Sequence, residues 1–217
     1  MAPANVIIQQ VPAPSEALKE DVIKLMIDLS IDDPGLLALV GNDPLLVPLI
    51  ARTWVNDGVA IGELWTATEG DELVGFMMWT PPGATTKISK EERAKIQEPL
   101  LDALSPEGLE YYKNTYTHEF PTFVTKCIAP AALADVWWLR TAMVRADKQR
   151  QGIARALLEP VRQKVSSLGQ NIACSTTRAR NVAVYEGLGF ESRGMREMVS
   201  PWHTWPLYVF LLPPQNS

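Results

Sequence analysis

The segment Gln149-Arg150-Gln151-Gly152-Ile153-Ala154 constrains this chain more than any other stretch, because it stands where a strand must hand over to a helix. Before it, Trp137 to Val144 is an apolar run of strand length. After it, Ile153, Leu157, Val161 and Val165 recur every four positions while Arg155, Glu159, Arg162 and Lys164 face away, the pattern of an amphipathic helix. The first-turn N–H groups of such a helix have no internal partner. The macrodipole adds roughly half a positive charge there, so a diphosphate suits that end. Gly152 and Ala154 let a ligand come close to the backbone.

Spacing excludes two other phosphate-binding designs. A P-loop needs Gly, four residues, then Gly-Lys-Ser/Thr, and a dinucleotide fold needs G-x-G-x-x-G early in a βαβ unit; neither pattern occurs. Downstream lies Asn181-Val182-Ala183-Val184-Tyr185-Glu186-Gly187-Leu188-Gly189-Phe190. Together the two segments resemble the GNAT N-acetyltransferase family, whose pattern Gln/Arg-x-x-Gly-x-Gly/Ala is filled here by Gln149, Gly152 and Ala154. The resemblance implies an α/β (α+β) GNAT fold, a mixed central sheet of about seven strands flanked by helices. It implies that Gln149, Arg150, Gln151, Gly152, Ile153 and Ala154 hold the pyrophosphate of acetyl-coenzyme A. Backbone groups near Met143 and Val144 would take the pantetheine as an added strand, with a hydrogen bond from Asn181. It also implies that Tyr185, one helical turn beyond Asn181, protonates the departing thiolate as general acid.

At 217 residues and 47% hydrophobic content, a chain of this size can bury a substantial core, and no low-complexity linker divides it. A single domain over residues 1–217 is the expectation. The formal net charge of −5 and the absence of a basic stretch argue against a nucleic-acid partner. Cys127 and Cys174 form no CxxC pair and the N-terminal residues carry no secretory pattern, so a reduced, cytoplasmic protein is expected. No apolar run approaches eighteen residues, so no membrane partner is expected either.

Val6-Ile7-Ile8 reads as a first strand. Ser15 caps a helix to about Leu29, and Asp43-Pro44 starts a second to about Trp54. Two apolar runs, Glu63–Thr68 and Leu73–Trp79, flank a Gly-containing turn and form a hairpin. Residues 81–132 are too long for a structureless loop. Their capping box Ser89-Lys90-Glu91-Glu92 and the start Ser105-Pro106 predict a helical insertion between strands 3 and 4, serving as an acceptor-site wall or lid, or as an added packing layer. Pro160 is expected to kink the long helix. Asn171–Ser175, a helix over Asn181–Leu188, and a hairpin of Arg196–Ser200 and Leu207–Leu212 complete the chain.

A protonated alkylamine near pH 7 must lose its proton before it attacks a thioester, which costs on the order of 4 kcal/mol and calls for a base or a water relay. Many GNAT members carry a Glu on the strand leading to the coenzyme; here the corresponding positions are Trp138 and Arg140. Substitutes by residue type are Asp135, His203, His118 and Glu119, beside a water-mediated path. The two histidines and two cysteines show no ligand spacing, so no metal is expected. Trp65, Trp79, Trp137, Trp138, Trp202 and Trp205 lie on or beside the strands flanking the acceptor and favour an apolar or aromatic amine. The leading expectation is an acetyl-coenzyme A dependent N-acetyltransferase of a small-molecule amine, monomeric or homodimeric. Protein lysine or N-terminal acetylation, O-acylation and a coenzyme A sensor are the alternatives.

Overall fold

A computed structural model describes residues 2–214. In chain order the elements are β1 (Val6–Gln10), α1 (Glu16–Ser30), α2 (Pro34–Leu39), α3 (Val47–Ile61), β2 (Glu63–Glu69), β3 (Glu72–Thr80), α4 (Lys90–Ala103), α5 (Pro106–Asn114), α6 (Phe120–Ile128), β4 (Trp137–Val144), α7 (Ile153–Ser167), β5 (Ile172–Thr176), α8 (Val182–Leu188), β6 (Glu191–Val199) and β7 (Thr204–Leu212). A π-helical turn, Thr115–Glu119, joins α5 to α6. The strands form one mixed sheet in the order β1-β2-β3-β4-β5-β7-β6. Every neighbouring pair is antiparallel except β4 and β5, which run parallel.

Local chemistry sets the element boundaries. The Ser15 hydroxyl accepts from the Leu18 N–H at 3.2 Å to begin α1. At α4 the box closes reciprocally, the Glu92 N–H donating to Ser89 Oγ at 3.1 Å and the Ser89 N–H to Glu92 Oε2 at 2.8 Å. Gly62 ends α3 where the chain passes under β3: a Cβ there would lie 2.1 Å from the Trp79 carbonyl oxygen, closer than any side chain allows.

The pleat sorts side chains between two cores. Phe76 and Met78 of β3 pack with Val22, Met26, Ile50, Val55, Leu100 and Tyr112 beneath α1, α3, α4 and α5. Leu207, Val209 and Leu211 of β7 lie on that side too, against Val124 and Ile128 of α6. On the opposite face Met77, Trp79, Trp137, Leu139, Phe210 and Leu212 meet Ile153, Leu157, Val161 and Val165 of α7.

Several expectations need adjustment. An unforeseen helix, α2, follows Asp33-Pro34, with Asp33 Oδ1 accepting from the Leu36 N–H at 2.9 Å. The start signal at Asp43-Pro44 is real, but it opens a 3₁₀ turn that leads into α3, which runs on to Ile61 rather than stopping near Trp54. Strand β6 begins at Glu191, five residues before the expected Arg196, and Trp205 and Pro206 lie in β7 rather than in the closing loop. The tryptophans also divide. Trp79 and Trp137 belong to the α7 core, Trp205 is buried beside α6, and Trp138 stands next to the residues described below.

Candidate active site

Strands β4 and β5 pair over Trp137↔Ile172, Trp138↔Ala173 and Leu139↔Cys174 and then part. From Arg140 to Val144 the β5-facing edge of β4 has no strand partner, leaving a wedge in the middle of the sheet. A β-bulge marks its mouth. Met78 pairs with Thr141 and Trp79 with Leu139, so Arg140 is the extra residue, pushed out of the ladder.

The chain leaves β4 at Val144 and reaches α7 through the loop singled out in the sequence. Arg150 (φ +60°) and Gly152 (φ +81°) both adopt left-handed backbone on either side of Gln151. Among the described residues, the backbone N–H groups from Arg150 to Arg155 meet no hydrogen-bond acceptor; the first bond into the helix is Ala156 N–H to the Gly152 carbonyl at 3.0 Å. Six donors thus stay unpaired around a helix N-terminus, where an anion is favoured. The glutamine side chains brace the loop from within: Gln149 Nε2 donates to the Val144 carbonyl and Gln151 Nε2 to the Asp147 carbonyl, each at 3.0 Å. Ile153 is buried in the α7 core and anchors the turn, so what it can offer a ligand is backbone, as is true of Ala154.

Across the wedge, Asn181 precedes α8 without capping it; its Nδ2 donates to Thr176 Oγ1 at the end of β5, 3.1 Å away. Tyr185 lies one turn on. Its ring packs against Phe190 (centroids 5.6 Å) and Phe210 (5.1 Å), and its hydroxyl has no protein hydrogen-bond partner among the described residues. Burial, followed by proximity to Cys174, pushes the phenol far above its ordinary value, so the proton stays on. Cys174 is wholly buried, and burial raises its thiol as well.

On the opposite face of the sheet Arg140 turns toward α3. Its Nη2 donates to Asp57 Oδ2 at 2.7 Å and its Nη1 to Thr80 Oγ1 at 3.3 Å, while Arg93 Nε of α4 donates to Asp57 Oδ1 at 3.1 Å. The Arg140 and Asp57 side chains are 14% and 11% exposed. A row of rings adjoins them: Tyr112 on Tyr116 (5.3 Å), Tyr116 on Phe120 (6.5 Å), and Phe120 edge-on to Trp138 (5.9 Å). Asp57 and Arg93 were not anticipated. The available signal was an acidic residue on the apolar stripe of α3, at Thr53, Asp57 and Ile61, where only a paired charge is tolerated.

The other base candidates stand apart from this constellation. Asp135 is exposed in a 3₁₀ turn at the beginning of β4, five residues before Arg140 and so about 16 Å away along an extended strand. His118 is exposed on the π turn, and Glu119 pairs with Arg196 at 3.1 Å and Asn114 at 3.0 Å. His203 sits in the β6–β7 turn with its Nε2 donating to the Pro34 carbonyl at 2.8 Å, which leaves Nδ1 as an acceptor. That turn joins a polar knot in which Asp33 takes hydrogen bonds from Thr177 and Arg178, tying the end of β5 to the start of α2.

Residues 100–202 match the family described as acetyltransferase (GNAT) domain. A comparison with curated proteins finds no match. Among solved structures, a histone acetyltransferase HPA2 and related acetyltransferase from Corynebacterium glutamicum superposes over 100% of this chain and 99% of its own, with a TM-score of 0.63 and 16% identity. Arylalkylamine N-acetyltransferase 2 from Aedes aegypti covers 97% and 100% at 0.59 and 18%. A GNAT acetyltransferase from Elizabethkingia anophelis with acetyl-CoA bound covers 97% and 99% at 0.51 and 13%. At such identities the structures speak for the fold alone. The family match lies over the wedge, the loop of residues 149–154 and α8, so residues 100–202 carry a GNAT acetyltransferase domain and the chain is an acyltransferase.

Proposed function

We propose that the enzyme transfers the acetyl group of acetyl-coenzyme A to the amine of a small molecule by direct attack. The observation that carries this reading is the wedge between β4 and β5, lined on one side by six unpartnered N–H donors and on the other by Tyr185. The diphosphate would sit on the donors from Arg150 to Arg155. The pantetheine amides would pair with the free edge of β4 near Met143 and Val144, with the Asn181 carbonyl oxygen as a further acceptor. The thioester then lies at the mouth of the wedge, beside the Arg140 bulge.

There the amine nitrogen attacks the carbonyl carbon and the C–S bond breaks. Tyr185 donates its phenolic hydrogen to the departing sulfur. A phenol above its usual value is a weak acid toward a solvated thiolate, but the burial that raises the phenol also raises a thiol, as at Cys174, so both partners shift together. The amine proton leaves through water, and Tyr185 regains its proton from the same solvent path. Helices α4, α5 and α6 pack on the same side of the sheet as Arg140, which favours a small acceptor over a polypeptide.

Incubation of the enzyme with labelled acetyl-coenzyme A and cell lysate tests this. Label in acid-soluble small molecules is expected; label confined to acid-precipitable protein would replace the small-molecule acceptor with a protein.

A further inference from the structure

Two guanidinium groups and one carboxylate meet at the mouth of the wedge. Among the described residues, Arg93 and Arg140 have Asp57 as their only acidic partner, so the cluster keeps one uncompensated positive charge, with Arg140 and Asp57 mostly buried and Arg93 partly exposed. One donor there is also idle: among the described residues Arg93 Nη2 is buried without a hydrogen-bond partner, whereas the indole N–H of Trp54 is turned to the Tyr112 hydroxyl. Buried donors are nearly always satisfied, and a charged one left bare is costly. A water can satisfy one such group; it cannot neutralise the net charge.

The surroundings are aromatic. A regular α-helix over-rotates by about 40° every four residues, and the wider π turn at Thr115–Glu119 takes up part of that drift. Tyr112, Tyr116 and Phe120 therefore stack as one wall leading to Trp138, and Trp54 stacks on Tyr116 at 6.4 Å. π-helical turns inside α-helices are frequent at functional sites.

We propose that the acceptor is an aromatic amine bearing a carboxylate, an aromatic amino acid or a close relative. Its carboxylate is taken by Arg93 and Arg140, and its ring lies against the partly buried rings of Tyr116, Phe120 and Trp138. This rests on the small-molecule acceptor proposed above. A polyamine or a simple alkylammonium would instead bring a second positive charge to a site that already has one in excess. Asp57 holds the two guanidiniums in place and leaves them one charge short of neutrality, so a carboxylate completes the cluster rather than crowding it.

Matched acceptors test this directly: phenylalanine against phenethylamine and tryptophan against tryptamine, with spermidine alongside, following coenzyme A release. A carboxylate engaging two guanidinium groups should favour the amino acid of each pair in kcat/KM by roughly 10- to 100-fold. Arg93→Gln, checked for folding by urea unfolding, should lower kcat/KM for phenylalanine about tenfold more than for phenethylamine. Calorimetry with phenylacetate on the coenzyme A complex gives a reading independent of turnover: binding is expected, and Arg93→Gln should abolish it. Equal or better turnover of the decarboxylated partners overturns the proposal, as does failure to acetylate either amino acid or to bind phenylacetate. Failure of the underlying acceptor reading looks different, since label would then enter protein or acetyl-coenzyme A would not bind at all.

Discussion

Replacing Gly152 with Glu separates backbone strain from charge at the phosphate-receiving loop. Gly152 has φ +81°, where a residue with a Cβ costs about 1–2 kcal/mol. A carboxylate near a helix N-terminus returns about 0.3–1 kcal/mol in the free protein, so the net loss of stability should be near 1 kcal/mol, or a melting point lower by about 2–4 °C for a chain of this size. Donor binding should suffer more. At about 5 Å, one added negative charge against the roughly two of a diphosphate costs about 1.7 kcal/mol even at the dielectric of water, and about four times as much at an effective value of 20. The new carboxylate also competes for the N–H groups of Arg150 to Arg155. Affinity for acetyl-coenzyme A should therefore fall by about 30-fold or more, measured by calorimetric titration. Gly152→Ala carries the same strain without the charge and should lose far less affinity. Raising the salt from 50 to 500 mM should narrow the gap between the two variants, because screening weakens only the charge effect. A folded Gly152→Glu protein with wild-type affinity would refute the assignment of the loop.

Two further outcomes follow from buried groups. Tyr185→Phe keeps the ring between Phe190 and Phe210, so acetyl-coenzyme A affinity should hold while kcat falls by roughly 10²–10⁴; lost affinity with kcat preserved would make Tyr185 a binding residue instead. Stability should fall in alkaline solution with a defined order. The Cys174 thiol and the Tyr112 phenol are both raised by burial, so each adds stability that is complete below its unfolded value and is lost as pH rises from there toward the folded one. For Cys174 the loss begins near pH ~8.5 and for Tyr112 near ~10, each with a slope of up to about 1.4 kcal/mol per pH unit. Urea unfolding between pH 7.5 and 10.5 reads this. Cys174→Ala should flatten the lower part of the decline and Tyr112→Phe a share of the upper, the rest of which belongs to Tyr185; a wild-type midpoint unchanged to pH 9.5 would contradict the burial argument.

Much of the sheet is legible in the sequence because its causes are local. The apolar run Trp137–Val144, the period of four from Ile153, and the caps at Ser15, Ser89 and Ser105 each act within a few residues, and each names an element at its right place. The unpartnered N–H groups at the start of α7 also follow from local order, since a strand-to-helix turn around Gly152 leaves them free in any context. Acceptor-side chemistry does not follow in this way. Nothing in the neighbourhood of Arg140 announces that a bulge will turn it toward α3, that Asp57, 83 positions earlier, will meet it, or that Arg93 will arrive from α4. The same limit applies to the tryptophans: sequence proximity to strands gathers them, and the alternating faces of the pleat separate them. Local propensity and pattern decided which segments became strand, helix or phosphate-receiving turn. Which charges face one another at the mouth of the wedge was decided only once the helices closed over the sheet, where desolvation brought both Arg93 and Arg140 to Asp57.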